Sequence, residues 1–373
     1  MKAKIDRKRL LSGIQRVQGV VEKRNTMPIL THILMEAQGG QISFFATDLE
    51  VGLQGSFPAE IIEPGRITVS ALKLYEMIRE FPDGPVHIRD EANHWVVIES
   101  GKSHFRMVGL PPEEFPVLPP LDRTDWFEID PTLFAGLIRR TFFATGDNAP
   151  QYVLNGLLVQ VEKSAEGKGI IRFIATDGHR LAVAEGEIRG GSAGYEEGII
   201  LPKKAILEMS RALDEGETVG APEISIGENQ WVYRWGNTVI TSRIIEGEFP
   251  NYRQAIPSGN DIHVSMHKDH LEGALRRVSV LAREKTGAIK FSLEDGRILL
   301  SANNPEMGEA KEEINASFKG EGFTTGFNAR YLLEALSALK GEETTLEFKD
   351  ALSPCLIKEN SEGFLAVIMP MRV

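Results

Sequence analysis

Cysteine is nearly absent from this sequence, since Cys355 is the only one in 373 residues. A single cysteine can form neither an intramolecular disulfide nor a zinc site built from several cysteines. The fold therefore depends on packed apolar cores, and the composition is typical of a reducing compartment, which predicts a cytoplasmic protein. Hydrophobic residues at 42% and charged residues at 25% argue against a disordered, collagen-like or coiled-coil chain.

Long apolar runs are also missing. Residues 1–13 include several charges and no apolar segment of signal-peptide length. The longest apolar run near the C-terminus, Phe364 to Met369, is far too short to cross a bilayer. The sequence therefore predicts neither secretion nor a membrane partner.

Signatures of common enzymes and metal sites are absent as well. No Walker A loop, Rossmann glycine pattern, HExxH or EF-hand loop occurs. His263, His267 and His270 are spaced by four and three residues, but the adjacent Ser265 and Lys268 favour surface histidines over a metal site. We expect no metal and no cofactor.

One pattern occurs three times along the chain. Residues Ile42 to Asp48 read ISFFATD, Ile171 to Asp177 read IRFIATD, and Ile298 to Asn304 read ILLSANN. The alanines of these segments are 129 and 127 residues apart. Spacings of this length indicate three homologous domains rather than a solenoid of short repeats.

Each copy also contains two amphipathic helices. In the first copy, Leu10, Ile14, Val17 and Val21 share one helix face, and Asp6 is the predicted N-cap. The third copy has a matching stripe, and that of the second copy is interrupted by Arg140. Short alternating runs around these helices predict strands, so each copy is predicted to be helix, strands, helix, strands, an α+β arrangement.

Basic residues lie on the first helix of each copy, although the chain has 42 basic and 53 acidic residues and a net charge of −11. At 100° per residue, the cations of the first helix fall opposite its apolar stripe. Three such helices predict a sequence-independent phosphate-binding surface, with an ordinary solvated face as the alternative. The residues are Lys8, Arg9, Arg16 and Lys23, then Arg139 and Arg140, then Arg276, Arg277 and Arg283.

The segment Thr176–Leu181, TDGHRL, is the one place where catalytic residues can be proposed. Asp177 and His179 could be an orienting carboxylate and a general base, but no serine or cysteine nucleophile accompanies them. Because the first copy has TDLE at residues 47–50, Asp177 is predicted to be a turn residue that accepts backbone N–H groups. His179 and Arg180 lie outside the repeat and indicate a function specific to the second copy.

Seven short motifs are spread over the whole chain: TMPIL (26–30), ATDLE (46–50), LNG (154–156), ATDGHRLAV (175–183), FPNYR (249–253), ANNPE (302–306) and MPMR (369–372). Together they resemble the bacterial DNA polymerase III beta subunit family, the replicative sliding clamps. The resemblance covers the full length, and the pair formed by ATDGHRLAV and MPMR is highly specific.

The resemblance implies an α+β fold of three repeated clamp-type domains, each with two helices packed on antiparallel sheets. The expected domains are 1–121, 126–250 and 258–373, and two chains joined head to tail would form a six-domain ring. Such a ring would be a non-catalytic processivity factor that encircles duplex DNA. Its expected partners are the DNA polymerase III catalytic subunit, the clamp loader, and other polymerases and repair proteins with clamp-binding motifs.

The resemblance also implies which residues contact DNA and which contact partner peptides. DNA would be contacted by Arg24, Lys73, Asn148, Tyr152 and Lys204, although Gln151 and Val153 depart from residues found in some relatives. The deep part of a peptide pocket would be formed by Leu154, Thr176, Gly178, His179, Arg180, Leu181, Pro250, Val367 and Met369. An adjoining groove would be formed by Asn328, Tyr331, Leu352, Pro370, Met371 and Arg372.

Within that pocket, apolar walls suit varied side chains, and His179, Arg180 and Arg372 would provide polar anchoring at the rim. In the dimer, Phe105 and Met107 would meet Val280 and Leu281 of the partner subunit. Two alternatives stay open: a hydrolase or transferase built on Asp177 and His179, and a repeat scaffold that binds proteins without encircling DNA.

Overall fold

The computed structural model describes residues 1–22, 26–116, 126–147, 149–163, 168–188, 195–214, 220–227, 229–282, 286–318, 320–359 and 363–372. The helices within these ranges are α1 (Arg7–Gln18), α2 (Ala71–Glu80), α3 (Pro131–Thr141), α4 (Lys203–Asp214), α5 (Lys268–Ser279) and α6 (Ala329–Ser337).

The strands follow in chain order. The first group is β1 (Lys2–Asp6), β2 (His32–Gln38), β3 (Gln41–Thr47), β4 (Val51–Pro58), β5 (Glu60–Glu63), β6 (Gly65–Ser70), β7 (Pro85–Glu91), β8 (Trp95–Ser100) and β9 (Ser103–Val108). The second group is β10 (Phe127–Glu128), β11 (Gly156–Lys163), β12 (Gly169–Thr176), β13 (Arg180–Ile188), β14 (Tyr195–Pro202), β15 (Glu223–Ile226), β16 (Gln230–Trp235) and β17 (Thr238–Arg243). The third group is β18 (Ile262–His267), β19 (Ala288–Glu294), β20 (Arg297–Asn304), β21 (Gly308–Asn315), β22 (Ser317–Phe318), β23 (Thr324–Asn328), β24 (Glu343–Phe348), β25 (Cys355–Lys358) and β26 (Phe364–Ile368).

The chain divides into two compact units. The first unit comprises Met1–Pro131 and Lys204–Ile244. It contains a five-stranded sheet in the order β5-β1-β7-β8-β9 and an eight-stranded sheet in the order β10-β15-β16-β17-β4-β3-β2-β6. The second unit comprises Thr132–Lys203 and Ile245–Val373. Its sheets have nine strands, β14-β11-β12-β13-β26-β25-β24-β18-β22, and four strands, β21-β20-β19-β23.

Helix α1 shows how the predicted apolar stripe packs. The Asp6 carboxylate accepts hydrogen bonds from the N–H groups of Lys8 and Arg9, which confirms the predicted N-cap. Leu10, Ile14 and Val17 are fully buried, whereas Val21 of the predicted stripe lies beyond the end of α1 and is half-buried. At Gly13 a Cβ atom would fall 2.5 Å from the Phe44 ring, so only glycine lets α1 approach β3 this closely. The position of α1 therefore depends on the burial of its apolar residues and on the absence of a side chain at Gly13.

The central copy is shared between the two units, because its strands extend the sheets of its neighbours. Strand β17 pairs with β4 in the first unit, and Thr238 lies opposite Gly55. Strand β13 pairs with β26 in the second unit, with Leu181 opposite Val367. The compact units therefore differ from the three sequence repeats, and the residue limits of the repeats stay a prediction.

Candidate functional site

The turn between β12 and β13 has a dense set of local hydrogen bonds. The Thr176 hydroxyl donates to the Arg180 carbonyl at 2.6 Å, and the Gly178 N–H donates to Thr176 Oγ1 at 3.1 Å. Asp177 Oδ1 accepts the N–H groups of His179 and Arg180 at 2.9 and 3.1 Å. These bonds confirm that Asp177 is a turn residue. Its carboxylate is engaged within the turn, which argues against its serving as an orienting carboxylate for His179.

Arg180 lies inside the protein rather than at a rim. Its side chain is 5% exposed, and its Nε donates to Asp177 Oδ2 at 3.0 Å. One Nη group donates to Glu334 of α6. The guanidinium carbon lies 4.3 Å from the Tyr331 ring centroid and 5.4 Å from that of Phe143, which are cation–π distances. Arg180 is therefore buried instead of lying at the predicted rim, and at least two of its N–H groups are engaged within the protein.

The exposed edge of the site is formed by His179 and the C-terminal segment. The His179 carbonyl accepts the N–H of Met369 at 2.9 Å, and the Met371 N–H donates to the Gly326 carbonyl at 2.8 Å. The His179 ring is stacked near Tyr331 with a centroid distance of 6.5 Å. Met369 is 41% exposed. The structure therefore brings together the β12–β13 turn, the start of α6 and the C-terminal segment.

Beneath this edge lies an apolar cluster on one face of the nine-stranded sheet. Leu181 and Val367 are cross-strand neighbours and are 2% and 1% exposed. Because side chains alternate along a strand, Leu181 and Arg180 point to opposite faces of β13. The cluster comprises Leu158, Ile174, Leu181, Val183, Ile200, Ile245, Tyr252, Leu356 and Val367. Pro250 lines an adjoining cavity of 720 Å³ together with Leu158 and Tyr252.

The groove residues are held by side-chain caps. Asn328 is the N-cap of α6, since its Oδ1 accepts the N–H groups of Arg330 and Tyr331 at 2.9 and 3.4 Å. Asp350 accepts the N–H groups of Leu352 and Ser353, both at 2.8 Å. These bonds hold the pKa of Asp350 below its ordinary value, and the bond from the Leu352 N–H has the largest effect. Leu352 is left 87% exposed.

The remaining predicted pocket residues differ in exposure. Leu154 is 8% exposed in the 3₁₀ turn Tyr152–Asn155. Pro370 and Met371 are half-buried, and Arg372 is exposed. The sequence interpretation missed Phe143 and Glu334, which complete the surroundings of Arg180. Glu334 lies 154 residues from Arg180 in the chain, so no local motif could have indicated it.

A second group of charges lies in the same unit. Lys203 Nζ is 2.6 Å from the carboxylate of Asp147. This hydrogen bond lowers the pKa of Asp147 most, and the charges of Arg330 and Arg180 lower it further. The Asp147 side chain is 74% exposed, so this ion pair is a surface feature.

The predicted DNA-contacting residues belong to both units. Arg24 and Asn148 lie outside the described residues. In the first unit, Lys73 is 67% exposed and pairs with Glu76 at 2.8 Å. Lys204 donates to the carboxylate of Asp48 and, at 2.8 Å, to the carbonyl of Val20. In the second unit, Tyr152 is 56% exposed.

Two of the helix cations do not face solvent. Arg16 is 9% exposed and donates to Asn237 Oδ1 at 2.8 Å. Arg140 is 12% exposed in its side chain and pairs with Glu359. The expectation that Arg16 is part of a solvent-facing cationic surface is therefore wrong, because its long side chain turns inward to a partner 221 residues away. Arg139, Arg276 and Arg277 are exposed, whereas Lys23 and Arg283 lie outside the described residues.

Two of the predicted dimer residues lie on an edge strand of the first unit. Phe105 is 44% exposed on β9, an edge strand of the five-stranded sheet, and its ring centroid is 5.4 Å from that of Phe81. Met107 on the same strand is half-buried. In the second unit, Val280 is 73% exposed and Leu281 is half-buried. The four-stranded sheet of that unit also has an edge strand, β21.

Two features are absent from the part of the chain that the structure describes. No group of three or more histidine, cysteine, aspartate or glutamate side chains could hold a metal ion there. None of the helices described is long and apolar enough to cross a membrane.

A repeated α+β fold with an apolar site beside the C-terminal segment is the architecture of a DNA sliding clamp, and solved structures agree. The crystal structure of the Caulobacter crescentus DNA polymerase sliding clamp matches with a TM-score of 0.91 and 36% identity, covering 100% of both chains. A Bartonella birtlesii sliding clamp bound to griselimycin matches with a TM-score of 0.94 and 34% identity, again over 100% of both chains.

The amino-acid comparisons define the family. The DNA polymerase III beta subunit models match as N-terminal domain at residues 1–119, central domain at 128–251 and C-terminal domain at 253–372. The beta sliding clamp of Caulobacter vibrioides is 38% identical over 100% of both chains, and that of Escherichia coli is 32% identical over 100% of both. The chain belongs to the DNA polymerase III beta subunit family, whose members are sliding clamps and processivity factors.

Proposed function

We propose that two copies of this chain join head to tail around duplex DNA and hold replication proteins there through the pocket beside Leu181 and Met369. The observation that carries the proposal is the buried apolar pair of Leu181 and Val367, whose strands are flanked by the exposed His179 and the half-exposed Met369. The partners would be the DNA polymerase III catalytic subunit, the clamp loader, and other polymerases and repair proteins with clamp-binding motifs. Tethering of this kind needs no chemistry and no cofactor, so the chain itself would not be an enzyme.

The pocket has the composition of a peptide-binding site. Its floor is aliphatic, with Leu181 and Val367 almost fully buried. Met369 has a flexible, polarizable side chain that adapts to different apolar partners. Backbone bonds from Met369 to His179 and from Met371 to Gly326 hold the C-terminal segment against the site. A preformed apolar site with few polar groups is typical of ligand recognition.

A substitution at Met369 tests this pocket. Met369→Glu places a charge against an apolar floor, so we expect it to weaken binding of an apolar clamp-binding peptide by at least about tenfold. Met307→Glu is the matched control, because Met307 is 63% exposed in a turn of the same unit. Fluorescence anisotropy with a labelled peptide measures both. Equal binding by the two variants would contradict the pocket assignment.

Ring formation is supported by the unpaired edges and exposed side chains of the two units. Edge strands present free N–H and C=O groups, and two different surfaces that meet head to tail can close a ring. Leu281→Asp is expected to give monomers by light scattering. Leu352→Asp is the control, since Leu352 is 87% exposed and belongs to the proposed pocket groove rather than to the proposed interface. A dimeric Leu281→Asp protein would contradict the interface assignment.

The DNA contacts would be weak and independent of sequence. A ring that encloses DNA needs few phosphate contacts, for which Arg24, Lys73, Asn148, Tyr152 and Lys204 are the candidates. The test is to load the protein onto a nicked circular plasmid with a bacterial clamp loader, wash in moderate salt, and then linearise the DNA. Retention on circles and release from linear ends is expected. Retention on both would indicate ordinary DNA affinity or a scaffold that does not encircle DNA.

A further inference from the structure

The Arg180 guanidinium is kept in place by charged contacts. Its side chain is 5% exposed and has carboxylate partners on two elements, Asp177 in the turn and Glu334 on α6. Its flat face rests on Tyr331 at 4.3 Å. A buried cation that loses a partner is strongly destabilised, so these two carboxylates decide where the group lies. The position of Arg180 is therefore coupled to α6 as well as to its own turn.

Glu334 is shared between two arginines. One carboxylate oxygen accepts from Arg180, and the other accepts from Arg330 Nε at 2.8 Å. The Glu334 side chain is 28% exposed, whereas that of Arg330 is 71% exposed. Together with Asp177, the group comprises two guanidinium and two carboxylate groups and has no net formal charge. The Arg180 guanidinium of this balanced set lies over the ring of Tyr331, which is one wall of the proposed pocket.

We infer that Glu334 is a positioning residue that sets the peptide charge preference of the pocket: it holds Arg180 against Tyr331 and cancels its charge. The inference rests on the proposed peptide-binding function. With Glu334 present, the wall formed by Tyr331 and His179 is electrically neutral, so it selects peptides by apolar shape. Without that carboxylate, the same wall would have an excess positive charge and would attract acidic peptides.

The substitution Glu334→Gln tests this inference, since it removes one charge and keeps the shape of the side chain and one of its two acceptor oxygens. The probes are three versions of one short apolar peptide with Glu, Gln or Lys beside its leucine anchors. At low salt we expect the Glu peptide to bind the variant about fivefold more tightly than wild type, as one added unit charge nearby implies. The Lys peptide should bind about fivefold more weakly, and the Gln peptide should be unchanged.

The salt dependence of binding and a control variant distinguish an effect of charge from an effect of side-chain shape. The shifts should shrink below about twofold at about 0.5 M salt, because a partly exposed charge is screened. Glu342→Gln is the matched control, since Glu342 is an exposed glutamate of the same unit. It should bind all three peptides as wild type does. Protection of the buried Cys355 thiol verifies that Glu334→Gln is folded.

Each outcome decides between defined alternatives. Equal weakening of all three peptides would show that Glu334 only supports the fold, and this would overturn the inference. Unchanged binding of all three would overturn it as well. If wild type bound none of the peptides, the proposed peptide-binding function would have failed, independently of Glu334.

Discussion

Two turns of this protein have nearly the same backbone and different surroundings. In the first unit, Asp48 Oδ1 accepts the N–H groups of Glu50 and Val51, and in the second unit, Asp177 Oδ1 accepts those of His179 and Arg180. A threonine hydroxyl bridges each turn in the same way. The repeat therefore preserves a hydrogen-bonding pattern through which the backbone reverses.

The turns differ in what the second carboxylate oxygen binds. Asp48 Oδ2 accepts from Lys204, whose side chain is 31% exposed, whereas Asp177 Oδ2 accepts from Arg180, which is 5% exposed. The first turn also has Leu49 at φ 79°, where the second has Gly178 at φ 87°. Local geometry is thus common to both copies, and the deep charge network beside Tyr331 belongs to the second.

The tryptophan and cysteine residues of the chain can serve as intrinsic probes that measure the stability of each unit separately. Trp95, Trp126, Trp231 and Trp235, which are all the tryptophans, belong to the first unit, and the single Cys355 belongs to the second. Cys355 is fully buried, and burial raises the pKa of its thiol, so it should react only when the second unit opens. Tryptophan fluorescence and thiol labelling in urea can therefore report one unit each.

The largest effect is expected from removing the turn aspartates. Asp177→Ala leaves Arg180 buried with one partner fewer and should cost about 3–5 kcal/mol, seen as thiol labelling at lower urea. Asp48→Ala removes a partner only from the partly exposed Lys204. It should lower the free energy of unfolding by about 2 kcal/mol, measured by tryptophan fluorescence. Asp177→Asn, which retains the Oδ1 acceptor, should fall between wild type and Asp177→Ala. Equal shifts of both probes in both variants would show that the turns are not independent.

A smaller effect is expected at Gly178. Its φ of 87° disfavours any side chain, and no atom lies within 4 Å of an added Cβ, so Gly178→Ala reports backbone strain alone. We expect a loss of about 1–2 kcal/mol by thiol labelling. As the control, Gly136→Ala on α3 adds a methyl group where no atom lies within 4 Å and φ is not positive. A Gly178→Ala protein as stable as wild type would refute the strain argument.

The reverse change in the first turn should be stabilising. Leu49 has a φ of 79° and is 47% exposed, so Leu49→Gly relieves backbone strain and loses little apolar burial. The entropy lost by glycine on folding offsets part of the gain, which leaves about 0.5–1 kcal/mol. The tryptophan transition should move to higher urea. A shift to lower urea would mean that the Leu49 side chain contributes packing that outweighs its strain.

The smallest effect concerns pH. Lys203 lowers the pKa of Asp147, so the pair stabilises the second unit above the ordinary aspartate pKa, and this contribution is lost as pH falls through the lowered value. Since the Asp147 side chain is 74% exposed, the effect should be under about 1 kcal/mol. Lys203→Met should raise the pKa of Asp147 in an NMR titration. An unchanged pKa would indicate that Arg330 and Arg180 dominate instead.

Features set by neighbouring residues were predictable from the sequence. The Asp6 cap, the apolar stripe of α1 and the role of Asp177 as a turn residue were all predicted, because each depends on contacts within a few residues. The threefold repeat and the family resemblance were visible too, since they are properties of order along the chain. What the sequence alone determined was therefore the family and the local form of each copy.

Only the tertiary structure decided how the central copy and its charges are used. Pairing of β17 with β4 and of β13 with β26 divides the central copy between two units. Arg16 and Arg180 have partners 221 and 154 residues away and are buried. Helix periodicity had predicted a solvent-facing Arg16, and the family resemblance had implied a rim position for Arg180. A long cationic side chain can reach inward or outward from the same helix or strand position. Which it does depends on a carboxylate or amide that folding brings near, and no local pattern records that.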